Sequence, residues 1–448
     1  MAASLAFSLG IRLMLCCSFA SAAAAKTKIY VHFPPEDLPA SPTSSASSIS
    51  AAASDAVQYQ HLAVDPSTGT VYVGATNWLY QLDGADLRLV QSARIGPRPD
   101  NVRCTESFGE NPCGGGGGRG SPATFPASAT DNVNKVLVVD AANRQLVTCG
   151  SLFQGVCQAR ALRNVSWSRE PETRGNTDYF TAANTARHST VAFVAAGPGG
   201  ADVLYVATTY TGTTPIRQTV PAISARSLAA GANLFRFAHT DGLTAGGSLV
   251  RFRGEAVERY VVVYVAGFAA GGFAYFLTNQ RETFALAGTG LPPTVSGRTV
   301  SRIVQICQRD RYFYSYAEMP LRCRTSPGGV DYQLVRSAVL VRPGPELAHR
   351  LRMGAEERVL VATFSRGGAE SEDSGGGGGD SSRESAVCVY RLADVRARFT
   401  QNIQKCFAAG VGQKHHVGHQ FSNRICVPLV SVGTRPDESK DQMGRTAG

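Results

Sequence analysis

Three histidines, His415, His416 and His419, sit close together near the C-terminal end and are the first residues to test for metal chemistry. A zinc site needs ligands held at fixed geometry, often with Cys or carboxylate among them. None stands nearby, and Gly410 and Gly412 precede the cluster, so a solvated loop is the better reading. The carboxylates Glu370, Glu372, Asp373 and Asp380 flank a glycine run at 375–379. Glycoside hydrolysis requires two carboxyls at a set separation, and a low-complexity loop cannot hold them there. A second glycine run, 114–118, continues into Arg119 and Gly120 without the Gly-Lys-Ser/Thr that would hold a phosphate and magnesium, and Gly288-Thr-Gly290 lacks a third glycine. No Gly-x-Ser-x-Gly elbow occurs, and no cysteine has the setting of a nucleophile. These residues argue against an enzyme. No cofactor and no metal are expected.

The cysteines point instead to structure. Residues 1–25 read as a secretory signal peptide, with Arg12 in an apolar stretch and small residues from Ser18 to Ala25. Cleavage removes Cys16 and Cys17. It leaves Cys104, Cys113, Cys149, Cys157, Cys307, Cys323, Cys388, Cys406 and Cys426, none in Cys-x-x-Cys spacing. In an oxidising compartment they should pair, and nine is odd, so one partner is missing or one thiol is free. Residues 26–57 form a leader; from 40 to 56 it is almost all Ser, Ala, Pro and Thr, too polar and simple to bury a core. Asn164-Val-Ser166 is the only N-glycosylation acceptor and is expected to be exposed.

Charge narrows the partners. The chain of 448 residues carries 44 Lys+Arg against 34 Asp+Glu, a formal +10. Six of the 44 are Lys and 38 are Arg, scattered rather than gathered on one segment. Nucleic-acid binding wants a concentrated stripe, so none is expected, and the arginines read as solvated.

From Gln58 onward, short runs of β-branched and aromatic residues alternate with turn residues. Examples are Thr70-Val-Tyr-Val-Gly74, Trp78-Leu-Tyr-Gln-Leu82, Lys135-Val-Leu-Val-Val139, Gln145-Leu-Val-Thr-Cys149, Thr190-Val-Ala-Phe-Val194 and Val203-Leu-Tyr-Val-Ala207. The rhythm continues at Ser248-Leu-Val-Arg-Phe252, Arg302-Ile-Val-Gln-Ile306, Arg358-Val-Leu-Val-Ala362 and Ala386-Val-Cys-Val-Tyr390. One helix stands out at 393–407, where Val395, Phe399, Ile403 and Phe407 recur four apart. Residues 260–277 are uncharged and long enough to suggest a membrane span, but Gly267, Gly271 and Gly272 favour two buried strands around a turn. No other stretch after the signal offers a span. So many strands exceed one sandwich and suit four-stranded sheets repeated around an axis; periodicity alone leaves a propeller or several sandwiches open.

Several motifs are more specific. Thr130-Asp-Asn-Val-Asn-Lys-Val-Leu-Val-Val-Asp140, followed by Leu146-Val-Thr-Cys-Gly-Ser-Leu-Phe-Gln-Gly-Val-Cys157, resembles the sema domain of plexins. His61-Leu-Ala-Val-Asp65 with Gly69-Thr-Val-Tyr-Val-Gly-Ala-Thr-Asn-Trp-Leu-Tyr80 is similar to its first blade. Gly272-Phe-Ala-Tyr-Phe-Leu-Thr278, Phe313-Tyr-Ser-Tyr-Ala-Glu318, Tyr332-Gln-Leu-Val335, Arg342-Pro-Gly344 and Ser385-Ala-Val-Cys-Val-Tyr390 look closest to the A class. The resemblance implies an all-β, seven-bladed β-propeller over 58–430, incomplete at its C-terminus, with 431–448 an unmatched tail. It also implies that Cys104 pairs with Cys113, Cys149 with Cys157, Cys323 with Cys388 and Cys406 with Cys426. Cys307 is left unpaired, because its family partner would lie shortly beyond Cys426. An unclosed ring would expose sheet edges and an apolar face, so the chain alone is expected to aggregate or to engage chaperones.

By the same resemblance the chain is the semaphorin-binding, extracellular part of a plasma-membrane receptor in guidance signalling, with a co-receptor as a further partner. The ligand face would fall between residues 181 and 311, with no contact residue singled out. The alternative is a secreted decoy or a non-functional fragment. A semaphorin and a propeller glycosidase are the lesser readings; the Asp131-Asn-Val-Asn-Lys135 and Gly150-Ser-Leu-Phe-Gln-Gly155 motifs favour the receptor side over the former.

Overall fold

The computed structural model describes residues 3–5, 58–102, 127–171, 177–212, 215–241, 246–252, 261–285, 294–325, 329–354, 356–367 and 384–409. Five four-stranded antiparallel sheets follow one another along them. Sheet 1 comprises Tyr59–Val64, Val71–Ala75, Trp78–Leu82 and Leu89–Arg94. Sheet 2 comprises Asn134–Asp140, Gln145–Gly150, Cys157–Ala161 and Asn164–Arg169. Sheet 3 is formed by Thr190–Ala196, Asp202–Thr208, Ile223–Ser227 and Leu249–Val250. Sheet 4 holds Val263–Ala270, Phe273–Ala285, Thr294–Cys307 and Ala317–Pro320. Sheet 5 holds Leu334–Val341, Val359–Ser365 and Ser385–Arg391, with Ala3–Leu5 as its outer strand.

The first strand of each sheet lies against the first strand of the next, in the order 1 to 5, as innermost strands around an axis do. This is a β-propeller-like arrangement. Alternation along central strands explains why their sequences read as continuous apolar runs. In Asp202–Thr208, Val203, Tyr205 and Ala207 enter the core shared with sheet 4, while Leu204 and Val206 enter the core shared with sheet 2. In Phe273–Ala285, Ala274 and Phe276 face sheet 3, and Tyr275 and Leu277 face sheet 5. Each large apolar side chain removed from water in this way contributes about 1.5–3 kcal/mol.

Residues 260–277 contain two paired strands joined at Gly271 and Gly272, both in the left-handed region (φ 56° and 84°). Among the described residues no helix is long and apolar enough to cross a membrane. The expected helix runs over Leu392–Ala409 and buries Leu392, Val395 and Phe399 against sheets 4 and 5. The strand expected at 248–252 is shorter, Leu249–Val250, and the hydroxyl of Ser248 donates to the carbonyl of Arg311.

Candidate partner-binding face

The cysteines that the structure describes act as staples. Cys149 and Cys157 stand directly opposite on neighbouring strands of sheet 2 and are bridged, S–S 2.05 Å. Cys323, on a two-stranded ribbon with Asp331–Tyr332, is bridged to Cys388 of sheet 5. Cys307 ends the third strand of sheet 4 as a free thiol. Cys104, Cys113, Cys426 and the side chain of Cys406 lie outside the described residues, as do His415, His416, His419, both glycine runs and the carboxylates around the second. Asn164 is exposed at the start of its strand, and the hydroxyl of Ser166 donates to its Oδ1. Ala3–Leu5 falls within the segment read as a signal peptide; cleavage there would uncover the edge of Ser385–Arg391.

The specific motifs turn out to position rather than to bind. Asn132 and Asn77 exchange backbone and side-chain hydrogen bonds across sheets 1 and 2, and Asn132 Nδ2 donates to the carbonyl of Ile95. Asn134 is buried; its Nδ2 donates to Thr148, and its Oδ1 faces His61 Nδ1 at 2.9 Å. Glycines are needed where this clamp closes, since a Cβ at Gly150 would overlap the Asn132 amide. Lys135 is buried with Nζ donating to the carbonyls of Ala186 and His188, and burial pushes its pKa down to about 8. At Phe153, Gln154 and Gly155 three successive residues adopt positive φ, and the Gly155 carbonyl accepts from Ala182 N.

The arginines are not all solvated. Arg160, Arg217 and Arg226 are buried. Arg226 stacks over Phe237 at 4.1 Å and donates to Ser224 and to the carbonyls of Asp178, Phe180 and Phe235. Arg217 donates to Thr211 Oγ1 and to the carbonyls of Gln154 and Ala182. A planar guanidinium can serve several carbonyls that strand ends leave over, which a count of charges does not reveal. Burial pushes Arg217 down to about 10 and Arg226 to about 9, so both remain cationic at neutral pH.

A surface suited to a protein partner lies on the loop from Cys307 to Tyr316. Asp310 accepts from the backbone amides of Tyr312 and Ser315, Ser315 Oγ accepts from Cys307 N, and Phe313 is buried at φ 56°. This brace presents Arg309, Arg311 and Tyr314, the last 57% exposed. Tyr312 stacks on Tyr314 at 5.3 Å, and His239 from sheet 3 meets Tyr312 edge-on at 5.0 Å. Exposed Tyr and Arg on a rigid support is the composition of interaction hot spots. Sequence reading finds Phe313-Tyr-Ser-Tyr-Ala-Glu318 as a motif but not this arrangement, which depends on the Asp310 brace and on His239, about seventy residues earlier.

Comparison with known proteins places this geometry. Residues 335–435 match the family model described as Sema domain. Plexin-A4 of Danio rerio is 33% identical over 359 residues, covering 78% of this chain and 17% of the relative. The chain is similar to A-class plexins over most of its length, and part of it matches a sema domain. Plexin-A3 of Homo sapiens is 32% identical over 353 residues, with the same 78% and 17% coverage. This chain thus spans less than a fifth of the length of these curated relatives. A solved structure of the full extracellular region of plexin A4, domains 1 to 8, shares its fold with a TM-score of 0.66 at 24% identity, covering 83% of this chain and 38% of that one.

Proposed function

We propose that this chain is part of the extracellular, semaphorin-binding region of a plexin-like receptor at the plasma membrane, and that the braced loop carrying Arg309, Arg311, Tyr312 and Tyr314 meets the partner. The plexin relatives support the class of partner. The loop itself carries the reading: it combines exposure, aromatic stacking and cationic charge on a support with little freedom to lose on binding. It adjoins the segment expected to hold the ligand face and extends it by a few residues. Two disulfides suit an extracellular setting, and Asn164 is the residue to carry a glycan.

The complete fold under this reading is a seven-bladed propeller, with further sheets against the outer faces of sheets 1 and 5. Leu62, Val73, Tyr80 and Leu82 share one such face, and Val339, Val361 and Val389 align across the other. Leu62 and Val339 are more than half exposed, unlike their counterparts between sheets.

Surface plasmon resonance against immobilised semaphorin ectodomains tests the proposal. Tyr314→Ala and Arg311→Ala should each weaken binding about tenfold or more, a hot-spot effect. Trp167→Ala, an exposed aromatic on the outer strand of sheet 2, should leave it unchanged. Undiminished binding by both loop variants would sink the assignment of the loop; no binding by folded wild type to any semaphorin would sink the partner class.

A further inference from the structure

Where sheet 3 meets the first strand of sheet 4, a cavity of about 250 Å³ is lined by Arg217, Arg251, Tyr210, Tyr264, Phe252 and Val262 among others, with no carboxylate among the described residues of its wall. Two cationic side chains facing one cavity with no carboxylate among its described lining residues is a costly arrangement, because burial strips water from both charges. The structure nevertheless builds it firmly. Arg217 is 2% exposed and held by Thr211, Gln154 and Ala182, while Thr211 and Gln154 are in turn linked through Asn184. Arg251 is partly buried; its Nη2 donates to the carbonyl of Thr219, and its Nε is buried without an acceptor. Tyr264 is 2% exposed and lines the cavity. A buried donor without an acceptor among the described residues, as Arg251 Nε is, asks for one.

The surrounding charge has the same sign. Lys135, Arg187 and Arg217 all act on His188, whose pKa is lowered first by burial and then by these three. Among the described residues, the acidic groups that act on these side chains are engaged elsewhere as well. Asp178 acts on Arg251 but also on the buried Arg226, and Glu318, which acts on Tyr264, accepts from Arg302, Gln280 and Tyr316.

We propose that this cavity is a carboxylate-binding site in which Arg251 supplies the principal charge-assisted contact, Tyr264 a hydroxyl donor and Arg217 a fixed cationic wall. A planar carboxylate matches the guanidinium fork, and the apolar wall of Phe252 and Val262 accommodates the carbon chain behind it. The ligand is an organic acid or the Asp or Glu side chain of a docked protein; both present the same group. The inference stands apart from the assignment of the Tyr314 loop, since none of that loop's residues lines the cavity.

Calorimetric titration and thermal melting of the full chain test this directly, with glutarate, N-acetyl-glutamate amide and inorganic phosphate as probes. Ionic strength is held constant with sodium chloride so that screening does not imitate binding. Saturable binding of one or both carboxylates is expected, with Arg251→Gln weakening it roughly tenfold or more, as loss of a charge-assisted contact does. Tyr264→Phe should weaken it about threefold, the smaller loss of a neutral donor. Circular dichroism establishes that each variant is folded, and Arg251→Lys, which keeps the charge, serves if the glutamine variant is not. Tighter binding of the capped glutamate marks a docked side chain; tighter binding of glutarate marks a free acid. Absence of saturable binding, equal affinity in Arg251→Gln, or phosphate binding as tightly as either carboxylate would overturn the proposal.

Discussion

The junction between sheets 1 and 2 and the junction between sheets 3 and 4 solve the same packing problem with different chemistry. The first is sewn by amides: Asn77 and Asn132 bond to each other and Asn134 meets His61 across the gap, with glycine where side chains cannot fit. The second is filled by rings: Phe193 packs on Tyr205 and Phe276 at 5.4 Å each, and Tyr264 meets Phe276 edge-on. Amide bonds fix register because they need partners at set positions. Stacked rings supply area and leave finer freedom in alignment. The polar junction should therefore be sensitive to single atoms, and the aromatic one to volume.

The largest effect is expected at the aromatic junction. Phe276→Ala removes a fully buried ring from the core shared by sheets 3 and 4 and should cost about 3–5 kcal/mol in urea denaturation. A loss below roughly 1.5 kcal/mol would mean that sheets 3 and 4 repack around the gap. Asn134→Ala should cost about 1–3 kcal/mol, because the variant leaves Thr148 and the carbonyl of Val136 without a buried donor. If Asn134→Ala proved as costly as Phe276→Ala, the amide junction would be the stronger of the two.

The smallest effect is a pH dependence confined to the polar junction. Burial lowers the pKa of His61, with the hydrogen bond to Asn134 opposing it. The folded state then binds its proton less readily than the unfolded state, whose value is about 6.5. Stability from neutral His61 is complete above about 6.5 and is lost as pH falls towards the folded-state value. His188 is lowered as well and contributes with the same sign. Comparing wild type with His61→Gln isolates the first: the variant should show a shallower fall in melting temperature between neutral and mildly acidic pH. An identical fall in both would remove His61 from the account of this junction.

Much of this fold is legible from residue order, because a strand covered on both faces leaves an unbroken apolar run. Val203, Leu204, Tyr205, Val206 and Ala207 announce their strand, and Gly271-Gly272 announces the turn that divides the uncharged stretch. The importance of Asp131-Asn-Val-Asn-Lys135 is also visible, although its purpose is not: only the pairing of sheets shows that these amides clamp rather than recognise. The arginine cavity is opaque to sequence. Tyr210 and Arg217, Arg251, and Tyr264 come from three separate segments, and Arg217 looks like any surface arginine until Thr211, Gln154 and Ala182 are seen to hold it. The binding loop is intermediate. Phe313-Tyr-Ser-Tyr-Ala-Glu318 is visible as a motif, but the brace in which Asp310 accepts from two backbone amides is not.

Amide hydrogen exchange of the chain with and without a bound semaphorin ectodomain tests the partner-binding assignment most directly. Protection on binding is expected over residues 308–316 and the neighbouring turn that carries His239, with sheet 1 unchanged. Protection centred on sheet 1, with the 308–316 loop exchanging as fast as in the free chain, would contradict it.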